Sequence, residues 1–368
     1  MRGLAVGVAV GAAPGVAARV VPVEDVVADR ELASPVHAAV RSAAHTSVAP
    51  SGFHRVVIAP QRDVRRQKPP TSRCSALREY GPVSATLVER SIRVSAAPPI
   101  DLYVAETPAA ADHTLLVIHG GPDWDHTYLI EPLRGLGSRR HIMWPDLRGC
   151  GRSTRGLAPH DCSAEAVVRD LLALVDQSHV STIDVLGFSY GGCVAQRLAL
   201  TAPDRIRRLI IASSTAVPLP ADAFAGWTER ERMVKPVEEI WDRSALEGAA
   251  LTRSAAYAAL PMSVSRAQSC PEWKRRLDTI RFSGDWLNAW RTGTLGTALP
   301  VDALARLKAL NTPILFLHGR QDMVFPVDLA VRAADLIPQA RCVIVENAGH
   351  MAHVDQPVKW LSAVSAFL

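Results

Sequence analysis

The sequence predicts an α/β fold: a mostly parallel central sheet flanked by helices, with a helical cap inserted between core strands. Three observations carry that prediction. Thr114–Ile118 is a continuous apolar run, as a strand buried on both faces requires. Further strand-like segments alternate with segments of helical period, the pattern of a parallel sheet with crossover helices. Residues 217–300 break the alternation, show no buried-strand run, and hold five of the eight tryptophans (Trp227, Trp241, Trp273, Trp286, Trp290).

The first segment stands apart from the rest. Residues 1–80 carry 11 basic and six acidic side chains, so the whole formal charge of +5 sits there, and the remainder holds 30 of each sign. The body therefore has no net field to steer a polyanion or an acidic membrane, so its charge lends no support to a nucleic-acid function and no nucleic-acid partner is expected. Residues 1–80 read as a basic, weakly ordered leader. Gly3–Ala18 is charge-free and ends in Val16-Ala17-Ala18, small residues suited to cleavage, but a single positive charge, four glycines and Pro14 weaken a signal peptide. The run is also short for a membrane span, so no stable membrane insertion is expected. Six cysteines occur without CxxC spacing and without a Cys/His cluster. They read as free thiols, in a cytoplasmic protein, or in a secreted one if residues 1–18 act as a signal.

From residue 84 the elements follow in order. Val88–Val94 and Ile100–Ala105 read as a strand pair joined around Pro98-Pro99. Thr114–Ile118 runs into His119-Gly120-Gly121-Pro122. His141–Trp144 is a short strand closed by Pro145-Asp146. Ser163–His179 has apolar residues at helical spacing, with Ser163 as N-cap. Thr182–Leu186 is a strand, Gly192–Ala202 a helix ended by Pro203, and Arg208–Ala212 another strand. Ile314–Leu317 and Arg341–Glu346 complete the sheet, and Val358–Leu368 is a closing helix. Core segments 84–216 and 301–368 thus bracket the cap, 217–300.

Chemistry gathers at the ends of these strands. Gly187-Phe188-Ser189-Tyr190-Gly191 fits G-x-S-x-G between a strand and a helix, where a nucleophile elbow needs a tight turn. The turn lifts the Ser189 hydroxyl to the carboxyl edge of the sheet, at a helix N-terminus that favours developing negative charge. An activated serine needs a base, and the base needs an orienting carboxylate. Asp322 follows one strand and His350 follows the last, in the order Ser, Asp, His. His353 is the weaker alternative base and Asp328 the fallback acid; His318 reads as structural. Backbone N–H groups of Gly121 and Tyr190 are the natural oxyanion donors. Gly120, Pro122, Trp124, Phe188, Arg148, Trp227 and Trp286 are candidate substrate contacts. For Arg148 the competing reading is a scaffold hydrogen bonder, and for the cap tryptophans it is packing of the cap's own core.

Together, His119-Gly-Gly-Pro122, Asp146-x-Arg-Gly-x-Gly-x-Ser153, Gly187-x-Ser-x-Gly191, Gly319-x-x-Asp322 and Gly349-His350 resemble the α/β-hydrolase superfamily over residues 85–368. HGGP with Arg148-Gly-Cys-Gly-Arg-Ser153 is similar to its proline iminopeptidase branch. That resemblance implies an α/β-hydrolase fold in which HGGP supplies the oxyanion loop, Ser189 is the nucleophile and 217–300 covers the site. It also implies a Ser189-His350-Asp322 triad acting on a small-molecule acyl substrate, with no metal or organic cofactor. Two departures stand out. Asp123 follows HGGP where that branch usually has glycine, and Tyr190 follows the serine where it usually has tryptophan. An aminopeptidase would bind a free amine through cap carboxylates, for which Glu229, Glu231, Glu238, Glu239 and Glu247 are on offer. A small apolar ester, lactone, thioester or amide is the first expectation. An aminopeptidase, a cyclising tailoring enzyme and a non-catalytic ligand binder are the alternatives. The oligomeric state is left open.

Overall fold

The computed structural model describes residues 86–108, 111 and 113–368. The leader, with its signal-like run, lies outside the described residues. Eight strands form one sheet: β1 (Val88–Ala96), β2 (Pro99–Glu106), β3 (Thr114–Ile118), β4 (His141–Pro145), β5 (Ile183–Phe188), β6 (Ile206–Ala212), β7 (Ile314–Gly319) and β8 (Ala340–Val345). Their order across the sheet is β1-β2-β4-β3-β5-β6-β7-β8. The first pair is an antiparallel hairpin that meets β4 antiparallel, and every other pairing is parallel. The sheet is thus mostly parallel, as the continuous apolar runs require.

Burial follows position. All residues of β3, β4, β5 and β7 are buried, whereas the edge strand β1 is largely exposed. One face of the sheet packs Leu116, Val185 and Ile211 against Leu171 and Leu174 of α1 (Ala164–Gln177) and Leu198 of α2 (Tyr190–Thr201). Ser163 caps α1, its Oγ accepting from the Ala166 N–H at 3.2 Å. The other face packs Leu115, Val117 and Leu317 against Trp360 and Val364, residues of the closing helix Pro357–Phe367. Helices therefore cover both faces, the usual consequence of parallel strands joined by crossovers.

Between β6 and β7 no strand occurs. The principal helices there are α3 (Thr228–Arg243), α4 (Gly248–Ala258), α5 (Cys270–Leu277) and α6 (Asp285–Arg291). This insertion packs onto the loops at the carboxyl edge of the sheet. Val234 and Val237 of α3 share an apolar cluster with Met323, Val324 and Phe325, just past β7. The Met351 N–H donates to the Ser263 carbonyl at 2.8 Å. Among the described residues no helix is long and apolar enough to cross a membrane.

Candidate active site

Ser189 sits between β5 and α2 with φ 54° and ψ −121°, a backbone conformation that side-chain-bearing residues rarely adopt. The neighbouring sequence permits that turn. A Cβ on Gly191 would run into the carbonyls of Ile118 and His119, so only glycine lets α2 start this close to β3. The Ser189 N–H donates to the Ala212 carbonyl at 2.9 Å, which fixes the elbow to β6.

Three sequence-expected residues meet at this point. His350 Nε2 lies 3.1 Å from Ser189 Oγ, and His350 Nδ1 lies 3.0 Å from Asp322 Oδ2. Asp322, in the loop after β7, also accepts the Val324 and Phe325 N–H groups on Oδ1, at 2.8 and 3.0 Å. His318 approaches its other oxygen at 3.1 Å. Burial alone would raise the Asp322 carboxyl, but the flanking imidazoles of His350 and His318 outweigh it and hold Asp322 well below the usual carboxylate range. Asp322 is therefore a fixed anion. Ser189, Asp322 and His350 are all buried.

The two expected oxyanion amides lie on either side of the serine. Gly121 takes φ +111°, a value open to glycine, in the loop after β3. Tyr190 is the first residue of α2. Neither N–H has an acceptor among the described residues. Gly120 N–H donates to Tyr128 Oη at 2.8 Å, and His119 anchors the same loop, its Nε2 accepting the Leu147 N–H at 3.0 Å. Tyr128 escaped the motif reading because it contacts Gly120 from eight residues downstream.

The remaining candidates divide. Phe188 and Trp124 lie in the aromatic wall around the site: Phe188 meets His350 at 5.3 Å between ring centroids, and Trp124 packs on Tyr128 and Trp273. Pro122 is buried beside Gly121. Trp227 is half-buried against the apolar cluster of Val234 and Phe325. Arg148 and Trp286 correct the expectation of substrate contact. Arg148 grips both oxygens of Asp170, at 2.6 and 2.5 Å, so its fork is fully used. Trp286 is buried edge-on against the Tyr190 ring, its indole N–H donating to the Arg148 carbonyl at 2.8 Å. Both are scaffold residues where cap meets core. The fallback acid Asp328 is exposed on the helix Val327–Leu336. His353 is buried among Phe188, Tyr128 and Trp360, and burial holds it neutral.

Asp123 was read only as a departure from a glycine pattern. It takes φ 69° and is buried. Its carboxylate accepts the Ser283 hydroxyl at 2.7 Å and the Trp286 and Leu287 N–H groups at 3.1 and 2.8 Å. The loop that carries Gly121 is thereby tied to the start of α6. Among the described residues no cluster of three His, Cys, Asp or Glu side chains is arranged to hold a metal ion.

A family model described as "alpha/beta hydrolase fold" matches residues 113–357. The chain belongs to the α/β-hydrolase family. Within it, the chain is 27% identical over 271 residues to a 2-hydroxymuconate semialdehyde hydrolase of Pseudomonas sp. (strain CF600), covering 71% of this chain and 88% of that protein. It is 25% identical over 263 residues to a proline iminopeptidase of Heyndrickxia coagulans, covering 69% and 90%. Among solved structures, a thermophilic esterase from Thermogutta terrifontis matches with a TM-score of 0.59 at 25% identity, over 77% of this chain and 97% of that one.

Proposed function

We propose that this α/β-hydrolase is a serine hydrolase that cleaves a small apolar acyl compound through an acyl-enzyme. The observation that carries the reading is the unbroken line from Ser189 Oγ through His350 to Asp322, at 3.1 and 3.0 Å. Ser189 Oγ attacks the carbonyl carbon while its proton passes to His350 Nε2. The Gly121 and Tyr190 N–H groups hold the oxyanion, the latter reinforced by the start of α2. As the tetrahedral intermediate collapses, His350 returns the proton to the departing group. Water then repeats the sequence on the acyl-enzyme and frees Ser189. Asp322, held as an anion, keeps Nδ1–H directed toward itself and stabilises the imidazolium.

An ester, lactone, thioester or simple amide is favoured over a peptide N-terminus, although the relatives include proline iminopeptidases. Of the cap carboxylates that could bind a free amine, Glu229, Glu231, Glu239 and Glu247 are exposed and Glu238 is half-buried. None is walled off from water, where an ion pair is strong.

The test is fluorophosphonate labelling joined to an acyl panel of esters, thioesters, aminoacyl arylamides and amine-blocked controls. Wild type labels and turns over esters, and Ser189→Ala does neither. Equal labelling of the two would remove Ser189 as the nucleophile. Turnover confined to free-amine arylamides would make the protein an aminopeptidase.

A further inference from the structure

Three arginines are buried among the described residues, and two have carboxylate partners. Arg148 pairs with Asp170, and Arg276 donates to Glu272 and to the carbonyls of Tyr128 and Glu131. The third, Arg230, is 7% exposed and has no ion pair among the described residues. Its Nε donates to the Met323 carbonyl at 2.7 Å, and its guanidinium carbon lies 3.5 Å from the centre of the Phe224 ring. Neither terminal amino group has an acceptor among the described residues, and neither is fully shut off from solvent. Burying an uncompensated charge is costly, so such a group persists where something else supplies its counter-charge.

Its position gives the absent partner a meaning. Arg230 is the one buried cation of α3; Arg232, Lys235 and Arg243 are exposed. Met323, to which it is fastened, directly follows Asp322. Phe325, two residues on, faces the His350 ring at 6.1 Å between centroids. Trp227 immediately precedes α3, its carbonyl accepting the Glu231 N–H at 3.0 Å. It stands half-buried against the same apolar cluster. An apolar wall and a flat, unfilled guanidinium fork therefore adjoin the loop that carries Asp322. Asp322, Glu231 and Glu238 act on Arg230 only from a distance and do not occupy the fork.

We propose that Arg230 recognises a carboxylate carried on the acyl substrate, so that the protein acts on apolar acyl compounds bearing a second, free acid group. The guanidinium fork matches a carboxylate in a bidentate manner and loses little hydration in doing so. The inference rests on the serine-hydrolase reading, because it assigns the substrate class of that same site.

The test compares mono-p-nitrophenyl adipate, which bears a free carboxylate, with its methyl ester, which does not. Wild type, Arg230→Met and Arg230→Lys are measured on both. Methionine keeps a long apolar stem on Phe224 and removes the charge; lysine keeps the charge and removes the fork. Arg230→Met is expected to raise KM for the acid by roughly 10- to 100-fold, the loss of a charge-assisted pair. Its KM for the methyl ester should stay within about twofold of wild type. Arg230→Lys should recover part of the acid preference. Equal losses on both substrates, or an unchanged acid-to-ester ratio, would overturn the assignment and leave Arg230 as a clamp between cap and Met323. Fluorophosphonate labelling of each variant runs alongside. If wild type fails to label, the serine-hydrolase reading fails; if all label and the ratio is unmoved, only Arg230 does.

Discussion

Two buried aspartates stand at the carboxyl edge of the sheet, one after β3 and one after β7, and they are held in opposite ways. Asp322 has two backbone N–H donors and two imidazoles, and is kept ionised far into acid. Asp123 has two backbone N–H donors and a serine hydroxyl, all neutral, and burial raises it to about 6. Neutral donors reduce the cost of burying a carboxylate, but here they do not cancel it; adjoining imidazoles do. The chemistry assigned to each loop fits that difference. In the proposed mechanism the loop of Asp322 needs a permanent anion to orient His350. The loop of Asp123 needs acceptors that join Gly121 to the cap.

The contrast breaks most visibly at Asp322. Asp322→Asn keeps the size of the side chain but can present an amide to His350, favouring the wrong tautomer. We expect kcat to fall by about 10⁴-fold with the fold intact. Steady-state kinetics beside a thermal melt checks it, and a loss under tenfold would mean that His350 is oriented by something other than Asp322.

Asp123→Ala comes next. It leaves the N–H groups of Trp286 and Leu287 without acceptors, while Ser283 Oγ keeps the Gly149 carbonyl at 2.5 Å, at a cost of roughly 2 kcal/mol of stability. Because the same loop carries Gly121, kcat should fall while KM changes little. Ser283→Ala should show a weaker form of the same effect. Additive losses in the double variant would show that the two residues do not act as one clasp.

The machinery at the strand ends was legible because it is local. Ser189 lies in a five-residue pattern, and Asp322 and His350 each follow an apolar strand run. The sheet was legible for the same reason, since β3, β5 and β7 are buried on both faces and so read as mainly apolar runs, with Asp184 the one charged residue in β5 and His318 near the end of β7. The clasp and the arginine were not. Asp123 reaches residues 160 to 164 positions away, and Arg230 reaches Met323 across 93. Nothing in local spacing distinguishes a charged side chain that ends in the interior from one that ends in water. Arg148 shows the converse: its motif suggested a site residue, and only Asp170, 22 positions on, reveals that its fork is already filled.

The smallest effect separates the two aspartates by pH. Asp322 binds its proton less readily when folded than when unfolded, so its stabilisation is present above its unfolded value near 3.8 and fades in stronger acid. Asp123 works the other way. Its carboxyl rises from 3.8 to about 6 on folding, so between those values the folded chain holds a proton that the unfolded chain has released. Stability at this site is therefore greatest in acid and declines as pH rises through about 6, by at most about 3 kcal/mol. Asp123→Asn has no such proton to lose. Urea unfolding of wild type and Asp123→Asn at about pH 4 and about pH 7.5 isolates the difference, since Asp322 and every other group are common to both. The stability gap should move in favour of Asn at the higher pH. A gap that stays flat would mean that three neutral donors offset burial completely at Asp123, and imidazole neighbours would no longer be needed to explain why Asp322 stays charged.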